Sequence, residues 1–492
     1  MDPTSSEATG LLSALETIFT DVIVAPLSAV IFLDVWFWDN AGGDEIQVPL
    51  VVLWLILGAT FFTLRFQFVN FRAFRHAIDC VRGRYTRPDE TGSISHFQAL
   101  SAALSATVGL GNIAGVAVAV GIGGPGAVFW MVFAGFLGMS SKFAECTLGQ
   151  LYRIVLPNGH ISGGAMYYLR TGLAERGFPR LGKGLAGLFA FMCIGGSFGG
   201  GNMFQSNQSY KQFATVFPEL NGTLGAVAFG VVIAALVGVV IIGGIRRIGE
   251  VAASIVPFMC SLYLLCGFSI LLTHADQIGP GLATIMGSAF STEAGLGGFV
   301  GVLIQGFRRA AFSNEAGTGS AAIVHSAAIT NEPVREGIVA LLEPFVDTLI
   351  VCTMTGLVIV VTGAWAAPEA GSGIEMTSWA FATVFPWFPY LLSFIAVLFA
   401  FSTMISWSYY GEQCWAYLFG WKSVLAYQAL FLVFACLGAV FQASAVIDFG
   451  DMMILGMAFP NIFGVVMLSG RVKSELDSYL GKLRSGEFER VR

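Results

Sequence analysis

Residues 103–126 read ALSATVGLGNIAGVAVAVGIGGPG, and a second stretch of the same character, GFRRAAFSNEAGTGSAAIVHSAA, occupies residues 306–328. The flanks of both are apolar enough for membrane helices. Where lipid-facing side chains are expected, however, each carries glycines beside hydroxyl and amide groups. In the first, Gly109, Gly111 and Gly115 sit in the middle and Gly121, Gly123, Gly124, Pro125 and Gly126 close the stretch; in the second, Arg308, Arg309, Ser313, Asn314, Glu315, Gly317, Thr318 and Gly319 interrupt it. Glycine in a helix interior costs about 1 kcal/mol relative to alanine. Irregular backbone at membrane depth persists only where protein or water satisfies its polar groups. For one glycine, close helix packing is the commoner reason, and Gly111 and Gly115 have that spacing. A glycine cluster with Thr107 and Asn112 beside it points instead to a broken helix. The run G-L-G-N-I-A-G does not fit G-x-G-x-x-G and lies on no βαβ unit, so a dinucleotide site is set aside.

Composition places these stretches in a membrane. Charged residues make up 11% of the 492 positions and hydrophobic residues 55%, with a mean hydropathy of +0.75. Soluble domains carry roughly 25% charged residues. A span needs about 20 apolar residues at helical rise. Eleven such stretches are predicted, at 46–69, 97–121, 126–151, 184–215, 222–244, 248–273, 298–327, 338–363, 380–417, 423–443 and 450–470. The chain thus reads as an all-α polytopic membrane protein.

Basic residues test the count, because short cytoplasmic loops are enriched in Lys and Arg. They fall between the first and second spans (Arg65, Arg72, Arg75, Arg82, Arg84, Arg87), after the third (Arg153, Arg170, Arg176, Arg180, Lys183), after the fifth (Arg246, Arg247), after the seventh (Arg335), after the ninth (Lys422) and in the tail from Arg471 to Arg492. Only Lys142, Lys211, Arg308 and Arg309 lie elsewhere, within spans. This alternation predicts a multi-pass protein of the cell membrane with a cytoplasmic C-terminus and an outer N-terminus. Residues 11–38 are interrupted by Glu16, Asp21, Pro26 and Asp34 and read as an interfacial or re-entrant helix on the outer face, with a twelfth span as the alternative. The eight cysteines are dispersed, none as C-x-x-C, and the five histidines are scattered, so neither a disulfide framework nor a zinc site is expected.

The two interrupted spans are the second and the seventh, five apart. Each opens a block of five (97–273 and 298–470), and a block with an odd number of spans must enter the bilayer in opposite orientations. An inverted repeat follows, with 1–45 and 46–96 ahead of it and 471–492 as a tail. Paired Gly-interrupted segments in such repeats point to a binding site at mid-depth, where discontinuous helices expose unpaired backbone groups.

The segments SHFQALSAALSATVGLGNIAGVAVAVGIGGPGAVFWM, GNMFQSNQ, FRRAAFSNEAGTGSA and FSTMISWSYYGEQCW resemble the alanine or glycine:cation symporters (sodium:alanine symporters), and the resemblance extends from about residue 46 to 470. It implies the LeuT-type five-plus-five fold behind one extra helix, and sodium-coupled symport of a small neutral amino acid. By the same resemblance the substrate carboxylate would meet amides at Leu110 and Gly111, with Thr107 and Asn112 beside them. Leu110 stands where many members have a small hydroxyl residue. Gln205 would contact the substrate. Phe312, Ser313, Asn314 and Gly317 would line the second break, with carbonyls facing the ammonium, and Trp407 would close the side-chain pocket. The sodium ion would take carbonyls of Ser105, Val108 and Phe399 and the hydroxyls of Ser402 and Thr403. No cofactor is implied beyond the co-transported ion; the partners are the amino acid, sodium and the lipid bilayer, with no nucleic acid, and the oligomeric state is left open.

Charges inside spans are functional by default. Lys142 and Glu145, three apart, are expected to pair with each other, Glu315 with Arg308 or Arg309, and Asp347 could approach a cation or stand as a hydrogen-bonded acid. Proton coupling through Glu315 or Asp347, or another substrate such as glutamine, is the alternative within transport. A membrane-embedded enzyme would need a nucleophile with its base or a metal cluster. His325 is the one histidine inside a span, and no H-E-x-x-H occurs.

Overall fold

The computed structural model describes residues 19–36, 47–87, 89–157, 159, 161–291, 295–488 and 490. Long helices dominate. Among the described residues, eight are long and apolar enough to cross a membrane, and nine with a pair, His96–Thr107 and Gly111–Gly123, bent by 52° at its break. Leu50–Arg65 has 16 residues, about 24 Å at helical rise, short of a hydrocarbon core of about 30 Å. The predicted seventh span is Gly295–Asn314 followed, after a gap, by Ala321–His325. These two account for the difference from the eleven expected spans. The predicted ninth span also differs: the chain forms Ile374–Ala382 and then Phe388–Phe419. Pro386, which has no amide hydrogen to give, lies between them. The last helix, Ala458–Ser485, runs well past the predicted span end.

Elements outside the spans were not anticipated. Helix Ala275–Ala289 lies between the sixth and seventh predicted spans, and Ile154–Val155 pairs antiparallel with Ile161–Ser162. Of the predicted 11–38 element, residues 19–36 are described: a π-turn Phe19–Val24 and helix Ala25–Ile31. Its Phe19 packs edge-on against Phe449, ring centroids 4.9 Å apart. Residues 11–18 and 37–38 lie outside the described set.

Basic residues of several predicted loops bind other loop segments. Arg335 pairs with Glu90 at 2.6 Å and Lys482 with Glu332 at 3.0 Å. Arg153 donates to the carbonyls of Ser326, Ala328, Thr91 and Thr330. His76, on the loop helix Phe74–Val81, hydrogen-bonds Tyr479 at 2.8 Å; burial, aided by the Arg335 charge, lowers its pKa to about 4.

The first broken helix starts with a capping box, in which Ser95 Oγ accepts from the Gln98 amide and Gln98 Oε1 from the Ser95 amide. Three π-turns lie in the interior, at Gly111–Gly115, Gly199–Met203 and Phe345–Cys352. A π-turn widens the helix and frees local backbone groups, which is why such turns cluster at functional sites. Helix Val424–Val440 lies close on the second of them: a Cβ at Gly438 would stand 2.5 Å from Met203 Cα. Gly438→Ala is therefore expected to lower thermal stability in detergent by about 1–3 kcal/mol, whereas Gly187→Ala, with no atom within 4 Å of its Cβ position, should stay within about 0.5 kcal/mol.

Candidate functional site

Helix His96–Thr107 stops at Val108, whose ψ of 86° leaves helical space. The freed amides are capped by side chains: Gly109 N–H donates to Asn112 Oδ1 at 2.8 Å and Leu110 N–H to Gln205 Oε1 at 3.0 Å. The Leu110 amide, expected to meet a substrate carboxylate, is thus paired with Gln205, whose Nε2 donates to the carbonyl of Gly200 at 2.9 Å. Asn112 reaches across to the π-turn of the eighth span, donating to Asp347 Oδ1 at 2.6 Å.

The second break occupies 315–320. Glu315, Gly317 and Gly319 all have positive φ, at 55°, 94° and 86°. In Glu315 this left-handed geometry costs about 1–2 kcal/mol, offset by bonds to its carboxylate from Ser320 Oγ and from Trp407 Nε1 at 3.0 Å. Ser313 Oγ donates to Asp347 Oδ2 at 3.0 Å. Asp347 is fully buried and also accepts from Thr348 Oγ1 at 2.7 Å.

The first break touches the end of helix Gly295–Asn314, just ahead of the second. A Cβ at Gly111 would lie 3.6 Å from Ser313 Cα and 3.7 Å from the Phe312 ring. At Gly109 a Cβ would stand 3.0 Å from Gln205 Oε1 and collide with the Thr403 hydroxyl, so only glycine allows that approach. Phe312 meets Phe204 edge-on at 5.2 Å, and the Trp407 ring lies flat against the backbone at Gly201, where any side chain would overlap it.

Of the residues singled out in the sequence, Leu110, Gly111, Asn112, Gln205, Phe312, Ser313 and Thr403 thus converge, with Trp407 linked to them through Glu315. Thr107 turns its hydroxyl back to the carbonyl of Ala103, at 3.2 Å. Asn314 faces Thr348, at 2.9 Å, and the amide of Ala316, also at 2.9 Å. The Gly317 carbonyl accepts from Asn461 at 2.8 Å.

Three of the proposed ion ligands, Ser105, Ser402 and Phe399, are joined by hydrogen bonds. Ser105 Oγ donates to the carbonyl of Ser402 at 2.5 Å, and Ser402 Oγ to that of Phe399 at 3.0 Å. Val108 and Phe399 are fully buried, and Thr403 Oγ1 is a buried oxygen without a hydrogen-bond partner. Neutral carbonyl and hydroxyl oxygens with one hydroxyl unused suit a hard monovalent cation.

Two expected ion pairs are not formed. Arg308 and Arg309 both bind Asp451, leaving Glu315 to Ser320 and Trp407. Lys142 binds Glu343 at 2.9 Å, while Glu145 accepts from Asn461 at 2.9 Å. Asn461 and Thr348 escaped the sequence reading of the site; the signal was a polar residue within an apolar helix. A cavity of about 580 Å³ between Thr215, Glu375, Trp379 and Tyr390 shares no residue with the site.

Residues 10–492 match the sodium:alanine symporter family. The chain belongs to that family. It is 40% identical to the sodium/alanine symporter AgcS of Methanococcus maripaludis, over 91% of this chain and 98% of the relative, and 34% identical to the probable sodium/glutamine symporter GlnT of Bacillus subtilis, over 90% of each. Its fold is shared with the LeuT-fold transporter MhsT, solved in complex with L-phenylalanine: TM-score 0.52 at 14% identity, covering 77% of this chain and 98% of that one. A family member with this fold is a secondary active transporter.

Gln205→Leu removes the acceptor on the Leu110 amide and leaves that amide buried and unpaired, a penalty of about 1–3 kcal/mol. An amino-acid carboxylate that takes up this amide relieves the penalty, so the expected outcome is a fall in KM for the transported solute of roughly tenfold with normal expression, read by uptake in vesicles.

Proposed function

We propose that this symporter couples sodium entry to uptake of a small neutral amino acid, alanine or glycine, by alternating access. The supporting observation is the contact of the first break with the end of helix Gly295–Asn314, just ahead of the second break, beside the unpartnered Thr403 hydroxyl. In this reading the zwitterion lies between Thr107, Leu110, Gly111 and Asn112 on one side and Phe312, Ser313, Asn314 and Gly317 on the other. Gln205 Oε1 holds the position a substrate carboxylate would take on the Leu110 amide, so binding exchanges one acceptor for the other at the positive end of the half-helix. Trp407, held by Glu315, forms a wall that admits a methyl group more readily than a long side chain.

Sodium takes the carbonyls of Ser105, Val108 and Phe399 with Ser402 and Thr403. It joins the first broken helix to helix Phe388–Phe419, so each ligand raises the affinity for the other by linkage. The inverted repeat and the eleven-span topology with cytoplasmic basic loops complete this reading. The name of the archaeal relative favours alanine, and that of the Bacillus relative makes glutamine the substrate to compare.

The test is uptake of labelled alanine into proteoliposomes with and without an inward sodium gradient. Accumulation is expected only with sodium, and Thr403→Val should raise the sodium concentration for half-maximal uptake by about tenfold, one lost charge–dipole contact being worth roughly 1.4 kcal/mol. Uptake driven by a pH gradient without sodium would overturn the sodium assignment in favour of proton coupling.

A further inference from the structure

Residues 65–87 hold six arginines and a single acid, Asp79. That acid is already taken: Arg84 binds one of its oxygens at 2.5 Å and Arg490 the other at 3.5 Å. Arg72 donates to Gln67 at 3.1 Å. Arg75 is exposed and has no ion pair or hydrogen bond among the described residues. It lines a cavity of about 330 Å³ between helices Val69–Arg72, Phe74–Val81 and Gly126–Leu151 and the π-turn Phe345–Cys352. That volume lies in the range of small-molecule sites.

Six of the eight lining residues are Phe, Leu or Met. Phe71 meets Phe136 with ring centroids 5.0 Å apart, and Phe74 meets Phe345 at 4.8 Å, so two aromatic pairs form the walls. The other polar group in the lining is Asn70, which is 2% exposed. Its Nδ2 donates to the Phe136 carbonyl at 3.1 Å, and its Oδ1 is left as a buried acceptor without a partner. An unpaired buried acceptor is costly, and a donor brought by a ligand relieves that cost. At the mouth, Phe68 and Phe71 are 43% and 68% exposed.

A fitting ligand therefore carries an anionic group for Arg75, a hydrogen-bond donor for Asn70 and a hydrocarbon body for the aromatic walls. A free phosphate would leave those walls bare. Basic pockets between membrane helices bind lipid headgroups in this way. We propose that this cleft binds an anionic phospholipid with a hydroxyl-bearing headgroup. Its phosphate sits on Arg75, its headgroup hydroxyl donates to Asn70 Oδ1, and an acyl chain packs against Phe71, Phe136 and Phe345. Phe345 and Leu349 flank Asp347 on the π-turn, so the lipid braces the turn that holds Asn112 and Ser313.

Native mass spectrometry of the purified protein in detergent, titrated with dioleoylphosphatidylglycerol, measures this site. The first molecule is expected to bind about tenfold tighter than dioleoylphosphatidylcholine, which has no net charge and no headgroup donor. Phosphatidylmethanol, with the same charge and no hydroxyl, should fall between the two; affinity equal to that of phosphatidylglycerol would overturn the Asn70 contact. Arg75→Gln should abolish the preference for phosphatidylglycerol. Arg82→Gln removes the same charge from an exposed position of the same segment outside the cavity, and should leave the preference within about twofold. Equal affinity for phosphatidylglycerol and phosphatidylcholine in the wild type, or an equal loss in both variants, would overturn the proposal. Displacement of the lipid by excess glycerophosphoglycerol, the headgroup without chains, would make this a site for a soluble anion and overturn the lipid assignment. Should Arg75→Gln fail to fold, the wild-type lipid series and the glycerophosphoglycerol competition still decide.

Discussion

The buried carboxylate of Asp347 is the constraint on which the rest of the interior depends. It accepts from Asn112 in the first break, from Ser313 in the second and from its neighbour Thr348. Peptide groups released from helical pairing cannot remain bare at low dielectric. Asn112 meets this demand twice, its oxygen capping the Gly109 amide while its nitrogen reaches Asp347. The π-turn at Phe345–Cys352 carries the carboxylate, and the π-turn at Gly111–Gly115 begins one residue before Asn112. Local helix geometry and the long-range bond are therefore one feature.

Charge is distributed by the same logic. Large apolar residues, among them Leu224, Ile242 and Leu425, each at least 77% exposed, lie on the outside of the bundle. Charges inside the bundle are matched across helices: Arg308 and Arg309 with Asp451, Lys142 with Glu343, Glu336 with His96 and His325. Neutral oxygens are concentrated where the breaks meet helix Phe388–Phe419. A transported zwitterion and a small cation each need groups that bind without trapping them, and dipoles meet that need better than fixed charges.

The breaks were legible because glycine, hydroxyl and amide residues have no other reason to cluster in an apolar stretch. The charged partners were not. Lys142 and Glu145 stand three apart, but each is met by a different neighbouring helix, Lys142 by Glu343 and Glu145 by Asn461 of Ala458–Ser485. Arg308 and Arg309 are near Glu315 in sequence, yet helix Gly295–Asn314 turns them to Asp451, and Glu315 lies past its end in a left-handed turn. The sequence-based span count exceeded the number of uninterrupted apolar helices for a related reason: hydropathy does not register the breaks or the short Leu50–Arg65 helix. Gln205 was placed near the site by family resemblance, but its bond to the Leu110 amide depends on the π-turn at Gly199–Met203, which no local pattern announces.

Hydrogen–deuterium exchange on the purified protein tests most directly whether the two breaks together form the binding site. With sodium and alanine present, amides of residues 107–113 and 313–319 should exchange more slowly than with neither, and the two segments should be protected together. Unchanged exchange in both segments while alanine is demonstrably bound would contradict the assignment of the site to the breaks.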